Sequence, residues 1–136
     1  MSEAAASVLR LERLDHFGVD VADLARGERF YTEVLGMQVR MRLPDQVLLR
    51  FGDTECALFW KPDRPAGGLE TIQNPLGKSH HAFRVPYEDL QRAMALFRER
   101  GIPYHPPIDW HDHDCLYFLD PDGNLLELVG YRSQRG

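Results

Sequence analysis

Cysteine is scarce in this chain, and the two present, Cys56 and Cys115, stand far apart with no C-x-x-C spacing. Zinc-ribbon and thioredoxin-type sites therefore have no support, and the pair reads as free buried thiols. No apolar run approaches the roughly 18 residues that a membrane span requires. A basic tract is missing too: 16 Lys and Arg stand against 21 Asp and Glu, a net charge of -5, which argues against nucleic acid as the main partner. The opening MSEAAASVLRLE lacks both a basic segment and a long apolar one, so it reads as a short leader rather than a signal peptide. These absences lead to the expectation of a cytoplasmic protein, bound to no membrane, whose partner is a small molecule.

What is there is an ordinary globular composition, 43% hydrophobic and 27% charged, in 136 residues, enough for one domain with a real core. The chain repeats itself. LDHFGVDVADLARGERFYTEVLGMQV (14–39) and SHHAFRVPYEDLQRAMALFRERGIPY (79–104) each run strand, Asp-Leu, amphipathic helix, Gly, strand. Leu24, Tyr31, Val34 and Leu35 share one helix face in the first copy, as Leu90, Ala93, Met94 and Phe97 do in the second. Gly36 and Gly101 stand where left-handed C-terminal caps would end the helices. Strand signals follow: MQVRMRL, then QVLLRF and ECALFW about Gly52-Asp53-Thr54, and in the second copy CLYFL and NLLELV about Asp120-Pro121-Asp122-Gly123. The Pro- and Gly-rich stretch between copies reads as a surface connection. The expectation is a single α+β domain over 1–136, built from two βαβββ modules (12–60 and 79–131) joined by a loop (61–78).

Two histidines stand side by side at the start of the second module, and neighbours in a strand point to opposite faces. Matching HFGVDV to HHAFRV sets His16 against His80. Phe17, Val19 and Val21 must pack on the first helix, and the equivalent face of the second strand holds His81, Phe83 and Val85. His16 and His80 point the other way, onto an open face beside Gly18 and Ala82. In the last strand Glu127 is the one charge in an apolar run, and a buried carboxylate is costly unless paired or bound to a cation. Two imidazoles and a carboxylate make a facial set suited to a divalent metal with positions left open for substrate.

These residues resemble the vicinal oxygen chelate superfamily, which includes glyoxalase I, extradiol dioxygenases, fosfomycin-resistance enzymes and bleomycin-binding proteins. The resemblance covers about residues 12–131 and rests on LDHFGVDVADL, FYTEVLGM, HHAFRV and YFLDPDGNLLELV in the family's order. It implies paired βαβββ modules whose sheets curve into a cup around one metal, with His16, His80 and Glu127 as ligands. Glyoxalase I is similar but takes a fourth ligand from the last strand of the first module. Hairpin alignment places Leu58 there, with Glu55 a register shift away, so three protein ligands are expected. Fosfomycin enzymes are similar in size and in a tyrosine ten residues before the glutamate, here Tyr117, but they need cations, and no Lys or Arg lies between Gly101 and Tyr131.

Extradiol dioxygenases are similar in the HHAF strand, in Tyr117 as a hydrogen-bond donor, and in the histidines of WHDHDCLYF, which imply His111 or His113 as an acid-base group. His16 is the only histidine before residue 80, a departure from their usual pattern. The leading expectation is a dioxygenase that opens a catechol-type ring with one divalent ion, Fe(II) favoured and Mn(II), Zn or Ni accommodated by the same ligands. A metal-dependent thiol transferase or lactoylglutathione-lyase-like enzyme comes next. A bleomycin-type binding protein follows, with Trp60, Trp110, Phe59 and Tyr104 lining the cup. A homodimer is implied, with modules paired within or between subunits.

Overall fold

The computed structural model describes residues 8–132; the first seven residues of the expected leader lie outside them. The first module comprises β1 (His16–Val21), α1 (Leu24–Arg29) running into a π-helical turn (Phe30–Val34), β2 (Gln38–Leu43), β3 (Gln46–Phe51) and β4 (Thr54–Trp60). A short helix, α2 (Leu69–Gln73), interrupts the connection, which the sequence presented as loop throughout. The second module comprises β5 (His81–Arg84), α3 (Asp89–Arg100), β6 (Ile108–Asp109), β7 (His113–Leu119) and β8 (Leu125–Tyr131).

Each module closes its own four-stranded mixed sheet, in the orders β1-β4-β3-β2 and β5-β8-β7-β6, giving an α+β fold. The first strand of each module lies parallel to its last, and the remaining neighbours run antiparallel. β6 is a stub because Pro103, Pro106 and Pro107 remove the ladder donors that a longer strand would need. The helices form for the reasons read in the sequence. Leu90, Met94 and Phe97 are buried along one face of α3, and Gly101 ends it with φ +68°, open to glycine at no steric cost. Asp23 caps α1, its carboxylate accepting from Arg26 N at 3.0 Å.

One core joins the modules. Phe97 stacks on Phe118 with ring centroids 4.7 Å apart, Phe30 reaches the same ring at 6.4 Å, and Val21, Leu49, Leu58, Leu116 and Leu126 are fully buried around them. Burying an aromatic or branched side chain contributes about 2 kcal/mol each, so this cluster is the main source of stability. It also uses one face of each sheet. The opposite face of the second sheet carries Cys115, Tyr117, Leu119 and Leu125, covered by Ile72 from α2. That second face is the floor on which the site is built.

Candidate metal centre

Parity along β5 decides which histidine meets the floor. Ala82 pairs with Glu127 and Arg84 with Val129, so the even positions of β5 share the Glu127 face. His80 accordingly turns toward it, with Nε2 at 2.8 Å from Glu127 Oε1. His81 turns into the core, where its ring lies against Phe17 with centroids 4.4 Å apart. Burial, then the neighbouring His80, hold the His81 imidazole below its ordinary pKa.

The hydrogen bonds of His80 specify a tautomer. Nδ1 stands 2.6 Å from the Lys78 carbonyl, which can only accept, so Nδ1 carries a hydrogen and donates. Nε2 then faces a carboxylate oxygen, and two acceptors do not hold each other at 2.8 Å. A divalent ion between them would be held by both. A metal-binding histidine ordinarily donates its second N–H to a backbone carbonyl, and His80 is arranged in that way. Glu127 is only 8% exposed, yet it has an imidazole and the Cys115 thiol as its polar company. The donor set thus fits a borderline or hard divalent ion.

Around the pair the floor is apolar and holds its protons. Tyr117 is the cross-strand partner of Glu127, and its ring meets His80 edge-on at 5.2 Å. Burial, then the negative Glu127, push the Tyr117 hydroxyl up to about 12, so it stays a neutral donor. Burial likewise raises Cys115 to about 11, and Trp110 Nε1 donates to its sulfur at 3.3 Å.

His16 is not brought to this pair. It sits at the start of β1, 61% exposed at the side chain, with Nδ1 at 2.8 Å from Asp15. Among the described residues, no group of three or more His, Cys, Asp or Glu side chains lies close enough to hold a metal. β1, which begins at His16, and β5, which His80 immediately precedes, are edges of their sheets, each paired on one side only.

The two loop histidines stand apart as well. His113 belongs to the floor side of β7, but four residues before Tyr117, which is about 13 Å along a strand. Its ring lies over Tyr131 at 4.8 Å and its Nδ1 is 2.6 Å from Asp112. His111 occupies the hairpin tip with φ +75°, held by Asp109, which accepts from its N–H, and by Arg132, which donates to its carbonyl. The four aromatic residues expected to line a cup diverge: Phe59 lies over Gly18, Trp110 beside Cys115, Trp60 donates to the Ala22 carbonyl, and Tyr104 packs on Phe97 in the core.

One register is corrected. Gly18 pairs with Ala57 as Ala82 pairs with Glu127, so the position equivalent to Glu127 is Ala57, while Leu58 faces the core. The two hairpins differ in length, with Phe51 opposite Thr54 but Leu119 opposite Leu125, and a slip of one residue exchanges the faces. Glu55 shares the Ala57 face but is taken by Arg40 at 2.5 Å and Arg50 at 3.8 Å. The first sheet therefore offers no carboxylate at the position matching Glu127.

The turn before β8 hides two acids that the sequence shows only as part of a hairpin turn. Asp120 accepts from Asp122 N, Asn124 N, Asn124 Nδ2 and Tyr31 OH, all within 2.9 Å. Asp122 Oδ1 accepts from Ala22 N at 3.1 Å and Arg26 Nη2 at 2.8 Å. The signal available in the sequence was the DPDG turn itself, but nothing in it showed that both carboxylates are buried.

Comparison with known proteins agrees with this architecture. A sequence model of the glyoxalase/bleomycin resistance protein/dioxygenase superfamily matches residues 13–128. The biphenyl-2,3-diol 1,2-dioxygenase 3 of Rhodococcus globerulus is 33% identical over 120 residues, covering 85% of this chain and 62% of that protein. The glutathione transferase FosA of Serratia marcescens is 28% identical over 130 residues, covering 92% of this chain and 86% of that protein. In structure, a glyoxalase/dioxygenase from Nostoc punctiforme superposes with a TM-score of 0.75 at 22% identity, over 96% of this chain and 100% of that one. No helix among the described residues is long and apolar enough to cross a membrane.

Proposed function

The chain belongs to the glyoxalase/bleomycin resistance protein/dioxygenase superfamily, and on that premise we propose that it is a mononuclear metalloenzyme of the extradiol type, opening a catechol-like ring. The observation that carries the reading is His80, whose Nδ1 is committed to a carbonyl while Nε2 faces Glu127 at 2.8 Å. His80 and Glu127 hold the ion, Fe(II) by preference, and His16 of a second copy completes the set in a homodimer. Open edges on β1 and β5 support that pairing, since unpaired strand edges seek partners and the two histidines stand at the starts of these edge strands. Bound there, the ion supplies a Lewis-acidic centre for two vicinal substrate oxygens. Tyr117 would donate a hydrogen bond to a substrate oxygen, with Leu125, Cys115 and Val129 forming the apolar floor beside it.

Elemental analysis of chelator-free protein purified without oxygen tests the metal, with about one iron per subunit expected. Added catechol should then draw down O2 and give a yellow ring-opened product. A fully loaded protein that stays idle across a panel of catechols would overturn the ring-opening assignment.

Thiol transfer is the second reading, supported by the 28% identity to the glutathione transferase FosA of Serratia marcescens. The aligned region covers 86% of that protein and 62% of the biphenyl-diol dioxygenase. Consumption of glutathione with an epoxide by the Mn(II)-loaded protein, and none of O2 with catechols, would select it.

A further inference from the structure

The stretch Gly101–Tyr131 carries no Lys or Arg beyond it in the second module's strands, yet a cation lines the same hollow as His80. It is Arg64, from the connection between modules, which shares a hollow of about 300 Å³ with Gly18, Asp20, Ser79, His80 and Asn124. A residue on a loop is ordinarily a poor candidate for a positioned contact, but this loop is clamped. Gly67 meets Gly123 so closely that a Cβ on Gly67 would fall 2.5 Å from Gly123 Cα, and one on Gly123 would fall 2.1 Å from Gly67 Cα. The Asp122 carbonyl accepts from Gly67 N at 2.8 Å and from Arg64 Nη2 at 3.0 Å. Asp122 is in turn fixed by Ala22 N and Arg26. The turn that leads into the Glu127 strand therefore also holds Arg64.

The guanidinium is not fully engaged by these contacts. It has five N–H donors, one bond to the Asp122 carbonyl, and an Nε that is buried without a hydrogen-bond partner among the described residues. A planar fork of this kind matches a carboxylate or phosphonate through two parallel bonds. Asp20 lines the same hollow and opposes an anion, but a divalent ion at His80 and Glu127 would leave the surroundings net positive.

We infer that Arg64 is a specificity-determining residue that receives an anionic oxygen group, carboxylate or phosphonate, carried by the substrate next to its metal-chelating oxygens. The inference rests on the metal reading for where the substrate sits, and it narrows the substrate class from neutral diols to acidic ones. It also supplies the cation that the second module lacks in sequence.

The test compares 2,3-dihydroxybenzoate with catechol, by anaerobic calorimetry on Mn(II)-loaded protein. Arg64→Gln should weaken 2,3-dihydroxybenzoate about tenfold and leave catechol unchanged, with Arg64→Lys between, as expected for loss of a charge-assisted pair. Equal losses for both diols, or none for either, would overturn the inference. A second arm titrates methylphosphonate into the wild-type chain with and without Zn(II), followed through the Arg64 Nε–H resonance by ¹⁵N NMR. If neither diol binds, the catechol reading falls by itself, and this arm decides: a saturable shift of that resonance sustains the Arg64 assignment, and its absence ends it. Because the second arm needs no substitution, it stands even where Arg64→Gln loosens the clamp and fails to fold.

Discussion

The Tyr31 hydroxyl, on the helical segment of the first module, donates to Asp120 Oδ2, in the last hairpin of the second, at 2.8 Å. Both groups are buried, and the bond ties the two copies of the repeat together through the turn that leads to Glu127. Burial raises the Asp120 carboxyl above its ordinary value, against the pull of its four donors, so each donor offsets part of that cost. Removing the hydroxyl leaves an acceptor under-satisfied in the core. Tyr31→Phe should therefore lower stability by about 1–2 kcal/mol, read as a lower urea midpoint at unchanged slope. A loss below about 0.3 kcal/mol would mean that water replaces the hydroxyl and that the bond does not join the modules.

His80 and His81 are neighbours with opposite fates, and their alanine variants should separate cleanly. His80→Ala removes an expected ligand and should reduce metal affinity by at least about 100-fold with little change in unfolding temperature. His81→Ala removes a ring packed on Phe17 and should do the reverse, costing about 1–2 kcal/mol while metal binding persists. Titrating each variant with Mn(II) and following its thermal unfolding checks both halves; equal metal affinity in the two would refute the division of faces.

That division was readable in the sequence because a strand has period two and Phe17, Val19 and Val21 declare which face is buried. The helix from Asp89 and its glycine cap were readable for the same kind of reason, a repeating apolar stripe with a defined end. Leu58 was mistaken for the counterpart of Glu127 because hairpin loops of unequal length shift the register, and loop length carries no periodic signal. The burial of Asp120 and Asp122 was not legible, since turns favour aspartate on local grounds, and only tertiary contacts with Tyr31 and Arg26 bury them. Arg64 was invisible for a related reason: its position depends on two glycine backbones meeting across the molecule. The separation of His16 from His80 is likewise a property of how the modules pack, which the repeat does not encode.

Cys56 gives the chain a predictable alkaline weakness. Burial, then the nearby Asp120, push its thiol from 9.0 up to about 12. A folded-state pKa above the unfolded one means the native state keeps its proton longer, so stability is complete below pH 9 and falls as pH rises toward 12. At pH 10 the loss from this group alone should be about 1.4 kcal/mol relative to pH 8. Cys56→Ala should start lower at pH 8, because it opens a cavity, but fall less steeply to pH 10. Parallel pH slopes for the variant and the parent, measured by urea denaturation, would show that Cys56 ionises in the folded chain as readily as in the unfolded one.

Whether His16 reaches the His80–Glu127 pair of its own chain or of a second copy can be decided by mixing two inactive proteins. His16→Ala and Glu127→Gln should each bind little metal alone, since each lacks one ligand in every site. If the site lies between subunits, a mixed dimer joins the intact His16 of one chain to the intact His80 and Glu127 of the other, restoring one of its two sites. Random reassortment makes half the dimers mixed, so refolding the two variants together should recover about a quarter of the parental metal content. A site built within one chain is defective in both variants and regains nothing on mixing. Recovery near a quarter, seen as tightly bound Mn(II) after gel filtration, would explain why the exposed β1 edge carries a histidine far from its expected partners; no recovery would require β1 and β5 of one chain to rearrange when the metal binds.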